Sequence, residues 1–159
     1  MKYSVIALLA AFVLVAPPDI QADEHDRAIE HEQFAERYIQ AYNSRDFDAL
    51  ETMIAETILL NGEETERSDF LGVVRQYMTW FPNVRLDATR IVGAEDHVTL
   101  RFEVTATGSG EMMGHDIDGK EINTTEMILF QVSDERITET WYEWDELSFW
   151  AQLGVIERP

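Results

Sequence analysis

The stretch from Thr138 to Asp145 concentrates the residue types that acid–base chemistry needs. Two tryptophans, Trp141 and Trp144, share it with three carboxylates, Glu139, Glu143 and Asp145. Indole rings can wall an apolar pocket. A carboxylate set among them loses hydration, so its proton affinity rises toward values useful for proton transfer. Asp145 ends the predicted last strand, at the mouth of such a pocket, and is the first candidate for the proton carrier. It also reads as the N-cap of a closing helix, because Glu146 and Leu147 follow it. Both roles stand at this point. The plainer reading of the whole segment is a closing strand with tryptophan core anchors and solvated acids.

Glu126 is the strongest candidate from pattern alone. Counting by twos, Ile122, Thr124, Glu126, Ile128, Phe130 and Val132 share one strand face, so a single carboxylate interrupts an apolar row. If that row is buried, the acid must be hydrogen-bonded, paired or protonated. Glu139 falls likewise between Ile137 and Trp141. For both acids the structural alternative is a buried carboxylate in a polar network. His115, in the segment Met112–Asp118, is a further acid–base candidate or a solvated loop residue. Trp141, Phe102, Phe130 and Tyr77 fall on inward faces by strand or helix period and are the expected substrate-binding walls.

Other chemistries find no support. The chain has no cysteine, which removes thiol catalysis and thiolate metal sites. His31-Glu32 lacks the second histidine of a zinc-protease motif, and His25 and His97 sit in polar surroundings, so no metal is expected. Ser68 and Ser109 lack a nucleophile-elbow context, and no glycine-rich phosphate loop is present. The expected cofactor set is therefore empty.

Around these residues the pattern predicts helices first and strands after. Ile29, Phe34, Ala35, Tyr38, Ile39 and Tyr42 recur at helical spacing, and Phe47 to Ile54 marks a short second helix. Thr57–Leu60 reads as a strand and Asn61–Arg67 as a polar loop. Ser68 is the expected N-cap of a third helix whose Phe70, Val73, Val74, Tyr77 and Phe81 form one stripe, stopped by Pro82. Val98, Leu100, Phe102, Val104 and Ala106 fill one face of the clearest strand. Ile122–Val132 and Ile137–Asp145 follow as strands, then a closing helix, Glu146–Gln152, ending at Gly154. This order implies an α+β fold with helices on one face of a curved antiparallel sheet.

The first 22 residues read as a secretory signal. Lys2 precedes an uninterrupted apolar run, Val5–Val15, too short to span a membrane, and Ala22 is the expected cleavage point. Residues 23–159 are then one domain, exported to the periplasm or medium. The net charge of −19 repels nucleic acid and anionic membranes. A homodimer built on the sheet's second face, where Met127 and Leu129 lie, is the expected assembly.

Several segments together resemble the SnoaL-like polyketide cyclases (ester cyclases) of the nuclear transport factor 2-like superfamily, to which ketosteroid isomerase and scytalone dehydratase also belong. Phe81-Pro82-Asn83 is similar to the family's Phe-Pro-Asp after its third helix. Thr107–Glu111 and Gly114–Lys120 look like its Thr-His-x-Gly-Glu and Gly-x-x-Pro-Thr-Gly-Lys stretches. Asp134–Trp141 looks like its Asp-Gly-Lys-Ile-x-Glu-His-Trp, and Gln152-Leu153-Gly154 matches its closing signature. The resemblance implies a cone-shaped half-barrel enclosing a pocket, with Asp145 at the family's acid–base position. Gly108 and Thr140 stand where the family has histidines, and Ile117-Asp118 replaces Pro-Thr. The expected ligand is a small apolar or carbonyl-containing molecule. The expected chemistry is cyclisation, isomerisation or dehydration, the alternatives being a non-catalytic carrier or a dimeric interaction module.

Overall fold

Amphipathic helices open the described chain. The computed structural model describes residues 20–157, so most of the expected signal segment, residues 1–22, lies outside the described residues. Helix α1 (Ile20–Ser44) turns Phe34, Ala35, Tyr38, Ala41 and Tyr42 inward. Helix α2 (Phe47–Thr52) is capped by the Asp46 side chain, which accepts from the Ala49 amide at 2.9 Å. Helix α3 (Arg67–Trp80) differs from the predicted stripe: Leu71 and Met78 are its buried residues and Val73 is 68 % exposed. Its N-cap is Glu66, with no side-chain cap bond, rather than Ser68.

The strands are β1 (Ile54–Leu60), β2 (Glu63–Glu66), β3 (Arg85–Ala94), β4 (His97–Thr107), β5 (Glu111–Met112), β6 (His115–Asp116), β7 (Glu121–Ser133) and β8 (Arg136–Trp144), with α4 (Glu146–Gln152) closing the order. Six of them form one open sheet in the order β2-β1-β8-β7-β4-β3, and β5-β6 is a separate hairpin. The expected antiparallel sheet is in fact mixed, because β1 runs parallel to β8. Asn61 and Gly62, both at positive φ, turn β1 into β2. Strand β2 falls in the expected polar loop Asn61–Arg67, because its four residues, all Glu or Thr, carry no apolar alternation.

One face of this sheet is the core. Val98, Leu100, Phe102, Val104 and Ala106 of β4 lie opposite Phe130, Ile128, Glu126, Thr124 and Ile122 of β7, and all ten are buried. Helix α1 covers β3 and β4, α2 and α3 cover β1, and α4 rests on β7. The result is an α+β half-barrel.

A bulge decides which side chains of β8 enter it. Gln131 pairs with Glu139, but Val132 pairs with Ile137, so Thr138 is an extra residue. Alternation therefore flips at Thr138. Ile137 points in, Glu139 and Trp141 point out, and Thr140, Tyr142 and Trp144 take the inner positions.

Strand β8 ends opposite Glu126, leaving the start of β7 with an open edge. The Gln152 amide covers it. Its Oε1 accepts from the Asn123 amide at 2.7 Å and its Nε2 donates to the Asn123 carbonyl at 3.1 Å. A side-chain amide offers the same donor and acceptor as a peptide group, so Gln152 stands in for the missing strand. Lys120 Nζ adds a bond to the Leu153 carbonyl at 2.6 Å. Together these fasten α4 over the sheet end.

Candidate active site

Glu126 sits at the centre of the inner face and is 4 % exposed. Phe102 of β4 and Trp144 of β8 lie directly opposite it on either side. Among the described residues two groups hydrogen-bond its carboxylate: the Thr124 hydroxyl at 2.9 Å and the Tyr142 hydroxyl. Burial pushes the Glu126 carboxyl above its ordinary value, and the Tyr142 and Thr124 bonds partly oppose that rise. Tyr42 and Tyr77 stand close enough to feel its charge. Burial foremost, with Glu126 adding to it, holds the phenols of Tyr42, Tyr77 and Tyr142 in their protonated, donor form. A proton-binding carboxyl is thus surrounded by aromatic rings and hydroxyl donors, the arrangement in which a buried acid can exchange protons with a carbon acid.

The positions of these groups follow from the turn chemistry. Asn61 fixes β8 from outside, donating its amide to the Thr140 carbonyl at 2.8 Å and accepting from the Tyr142 amide at 2.8 Å through Oδ1. Tyr142 is thereby held where its hydroxyl meets Glu126. On the far side, Trp144 packs edge-on against Phe149 of α4 with ring centres 4.9 Å apart, and Phe149 packs against Phe81 and Trp150. The wall beside Glu126 is aromatic.

The remaining sequence candidates are dispersed. Asp145 is exposed and its Oδ1 accepts from the Ser148 amide at 2.9 Å, so it caps α4. Its capping role is realised, one residue beyond the Trp144–Glu126 pair. His115 is exposed on β6 with its ring 6.2 Å from Trp150. Glu139 accepts from the Trp141 indole, and both lie on the outer face, with Trp141 44 % exposed. The inward placement expected for Glu139 and Trp141 is overturned by the Thr138 bulge. Phe102 and Phe130 are buried as expected, and Tyr77 is half-buried against Phe81.

Thr124, Tyr142, Tyr42 and Thr140 lie in this interior but are not among the site residues that the sequence pattern predicts. Thr124 was legible, since it shares Glu126's face two residues away. Tyr142 and Thr140 were hidden because unbroken alternation puts them outside. Thr140 is fully buried and its hydroxyl has no partner among the described residues. Gly108, where the family pattern has histidine, lies under the Ile117 carbonyl; a Cβ there would come within 2.2 Å of that oxygen. No side chain fits at position 108 while the Ile117-Asp118 turn keeps this path.

Among the described residues, two clefts open on the surface away from this interior. One of about 250 Å3 lies between α3 and β1, lined by Glu51, Glu56, Glu66, Arg67 and Arg75 among others. The second, about 490 Å3, lies at the end of β4 and β7 beside Asn83 and Gln152. Neither is lined by Glu126. Among the described residues no group of three His, Asp or Glu side chains could hold a metal ion.

The comparisons with known proteins agree with this architecture. A model of the SnoaL-like polyketide cyclase family matches residues 32–153. The chain belongs to that family. Wild-type IdmH of Streptomyces antibioticus, a candidate polyketide cyclase, is 28 % identical over 79 % of this chain and 99 % of its own, with a TM-score of 0.71. AclR of Streptomyces galilaeus, a candidate hydroxylase, is 22 % identical over 81 % and 98 %, with a TM-score of 0.73. A SnoaL-like polyketide cyclase of Agrobacterium tumefaciens strain C58 is 19 % identical over 78 % and 98 %, with a TM-score of 0.70. No match was found among curated proteins. The last two structures share the fold alone, and their differing descriptions show that fold does not fix reaction.

Proposed function

We propose that this SnoaL-like protein is an exported acid–base enzyme acting on a small, mostly apolar carbonyl compound, with Glu126 as its proton carrier. The observation that carries the reading is a buried carboxylate held by two hydroxyl donors and walled by aromatic rings, a setting in which burial raises its proton affinity. Ionised Glu126 takes a proton from the carbon next to the substrate carbonyl. The C–H electron pair becomes the C=C bond of an enolate, and the carbonyl π pair moves to oxygen, where a tyrosine hydroxyl stabilises it. Return of the proton to a different carbon gives isomerisation. Attack of the enolate carbon on a second carbonyl, whose oxygen takes the proton back from Glu126, gives cyclisation; expulsion of a β-hydroxyl, which takes that same proton and leaves as water while the enolate pair re-forms the carbonyl, gives dehydration. Each outcome uses the same first step and no cofactor.

Asp145 keeps its place as the cap that positions α4 over this interior. The charge of −19, and hydroxyl rather than basic groups as the hydrogen-bond partners of Glu126 among the described residues, suit an uncharged substrate. Export rests on residues 1–22. A homodimer rests on the outer sheet face, where Leu59, Met127 and Trp141 are exposed.

The second reading is a carrier with the same interior. It is favoured by the enclosure of Glu126, which neither cleft reaches. Deuterium wash-in separates the two. The wild-type protein in D2O should label the α-carbon of a cyclic ketone, followed by proton NMR, and Glu126→Gln should slow that labelling at least about a hundredfold. Ketone binding without labelling would establish the carrier.

A further inference from the structure

The outer face of the sheet carries a row in which charge is sorted by strand. Arg101 of β4 lies directly opposite Met127 of β7, and Met127 lies directly opposite Glu143 of β8. All three are exposed, on the face turned away from the helices. Adjacent strands lie about 4.8 Å apart, so about 10 Å separates Arg101 from Glu143, with the methionine between them. Among the described residues neither forms an ion pair. Arg101 donates to the Thr89 hydroxyl at 2.9 Å and has a second arginine, Arg90, directly opposite it on β3. Like charges facing each other across a ladder repel. This end of the row lacks an acid, and the other end lacks a base.

A row that reads basic, apolar, acidic is its own complement when turned over. Two sheets stacked face to face keep their strands within about 30° of each other, at a spacing of about 10 Å. A half-turn about an axis along β7 lays β8 of a second copy over β4 and β4 over β8, while levels along the strands are kept. Arg101 then meets Glu143 on both sides of a Met127–Met127 contact. The neighbouring row obeys the same operation with apolar groups. Val92, Thr99, Leu129 and Trp141 stand at one level on β3, β4, β7 and β8. Leu129 meets its own copy, and the exposed Trp141 ring covers Thr99. A half-turn about an axis across the strands sets Arg101 against Arg101 and Glu143 against Glu143, which repel.

We propose that the outer face pairs with a second copy of this chain about a two-fold axis along β7, with Arg101 of each copy bonded to Glu143 of the other. The interface is isologous, so one acid and one base on each protomer make two ion pairs. This rests on the homodimer proposed above and fixes its register; the acid–base reading of Glu126 is independent of it.

Sedimentation of charge-reversal variants tests the pairing. Arg101→Glu alone places acid against acid at both contacts, and Glu143→Arg alone places base against base. Each should weaken the wild-type dimer at least about a hundredfold. Glu143→Arg makes the chain less acidic, which on bulk charge alone would strengthen association, so its dissociation is the sharper result. An equimolar mixture of the two variants should restore the dimer, because every contact then joins opposite charges. The double variant Arg101→Glu/Glu143→Arg should dimerise by itself, and it answers the same question if a single variant fails to fold. Single variants that dimerise as wild type does, or a mixture or double variant that stays monomeric, overturn the register and leave the homodimer standing. A wild-type monomer at micromolar concentration overturns both.

Discussion

The Tyr142 hydroxyl donates to the Glu126 carboxylate across the β7–β8 ladder, joining a strand to the acid it brackets. This bond stabilises the ionised form of Glu126, while burial favours the protonated form, and burial is the larger effect. Glu126 therefore holds its proton to higher pH than an exposed glutamate does. Removing the phenol oxygen removes an influence that lowers the proton affinity. Tyr142→Phe should accordingly move the acid limb of any pH–rate profile upward, where a purely structural tyrosine would change amplitude and leave the limb in place.

Stability should carry the same signature. A carboxyl whose folded value lies above its unfolded value favours the native state while both are protonated, below about pH 4.5. That contribution disappears as pH rises through the raised native value. Glu126→Gln, which cannot ionise, should melt higher than wild type at pH 8 and close to it at pH 4. Thermal melts across that range check the prediction, and equal offsets at both ends would contradict it.

Asp145 gives a contrasting expectation. Its carboxylate caps α4 from an exposed position, so Asp145→Ala should lower stability by about 1 kcal/mol, while Asp145→Asn should preserve it. Deuterium labelling per folded molecule should persist in both variants. Abolition of labelling in Asp145→Asn, with the cap intact, would transfer the proton-carrier role to Asp145.

These residues also mark how far the sequence could be read. Glu126 was visible because β7 keeps strict alternation over eleven paired positions with β4, so one acid in an apolar row had to be buried. The order of helices and strands was visible for the same reason of period. Glu139 and Trp141 were misplaced because a β-bulge leaves no mark in composition: Thr138 is an ordinary strand residue until the partner strand shows two residues opposing one. Strand β2 was missed because its pairing depends on the Asn61-Gly62 turn rather than on apolar content. Val73 was placed inward because helical period fixes the width of a stripe better than its rotation.

The outer face predicts assembly. Exposed Trp141, Met127 and Leu59 lie on the three adjacent strands β8, β7 and β1. Met127→Glu combined with Trp141→Glu should convert a homodimer to monomer in sedimentation at micromolar concentration, with the Glu126 chemistry retained. A wild-type monomer at that concentration would remove the dimer.

The most direct test of the central claim is a carbon-13 NMR titration of the Glu126 side-chain carboxyl. Its signal should titrate with a midpoint above the ordinary 4.5, and the acid limb of deuterium labelling should share that midpoint. In Tyr142→Phe both should rise together. A Glu126 carboxyl that titrates at or below 4.5, or a labelling rate indifferent to its ionisation, would contradict the account.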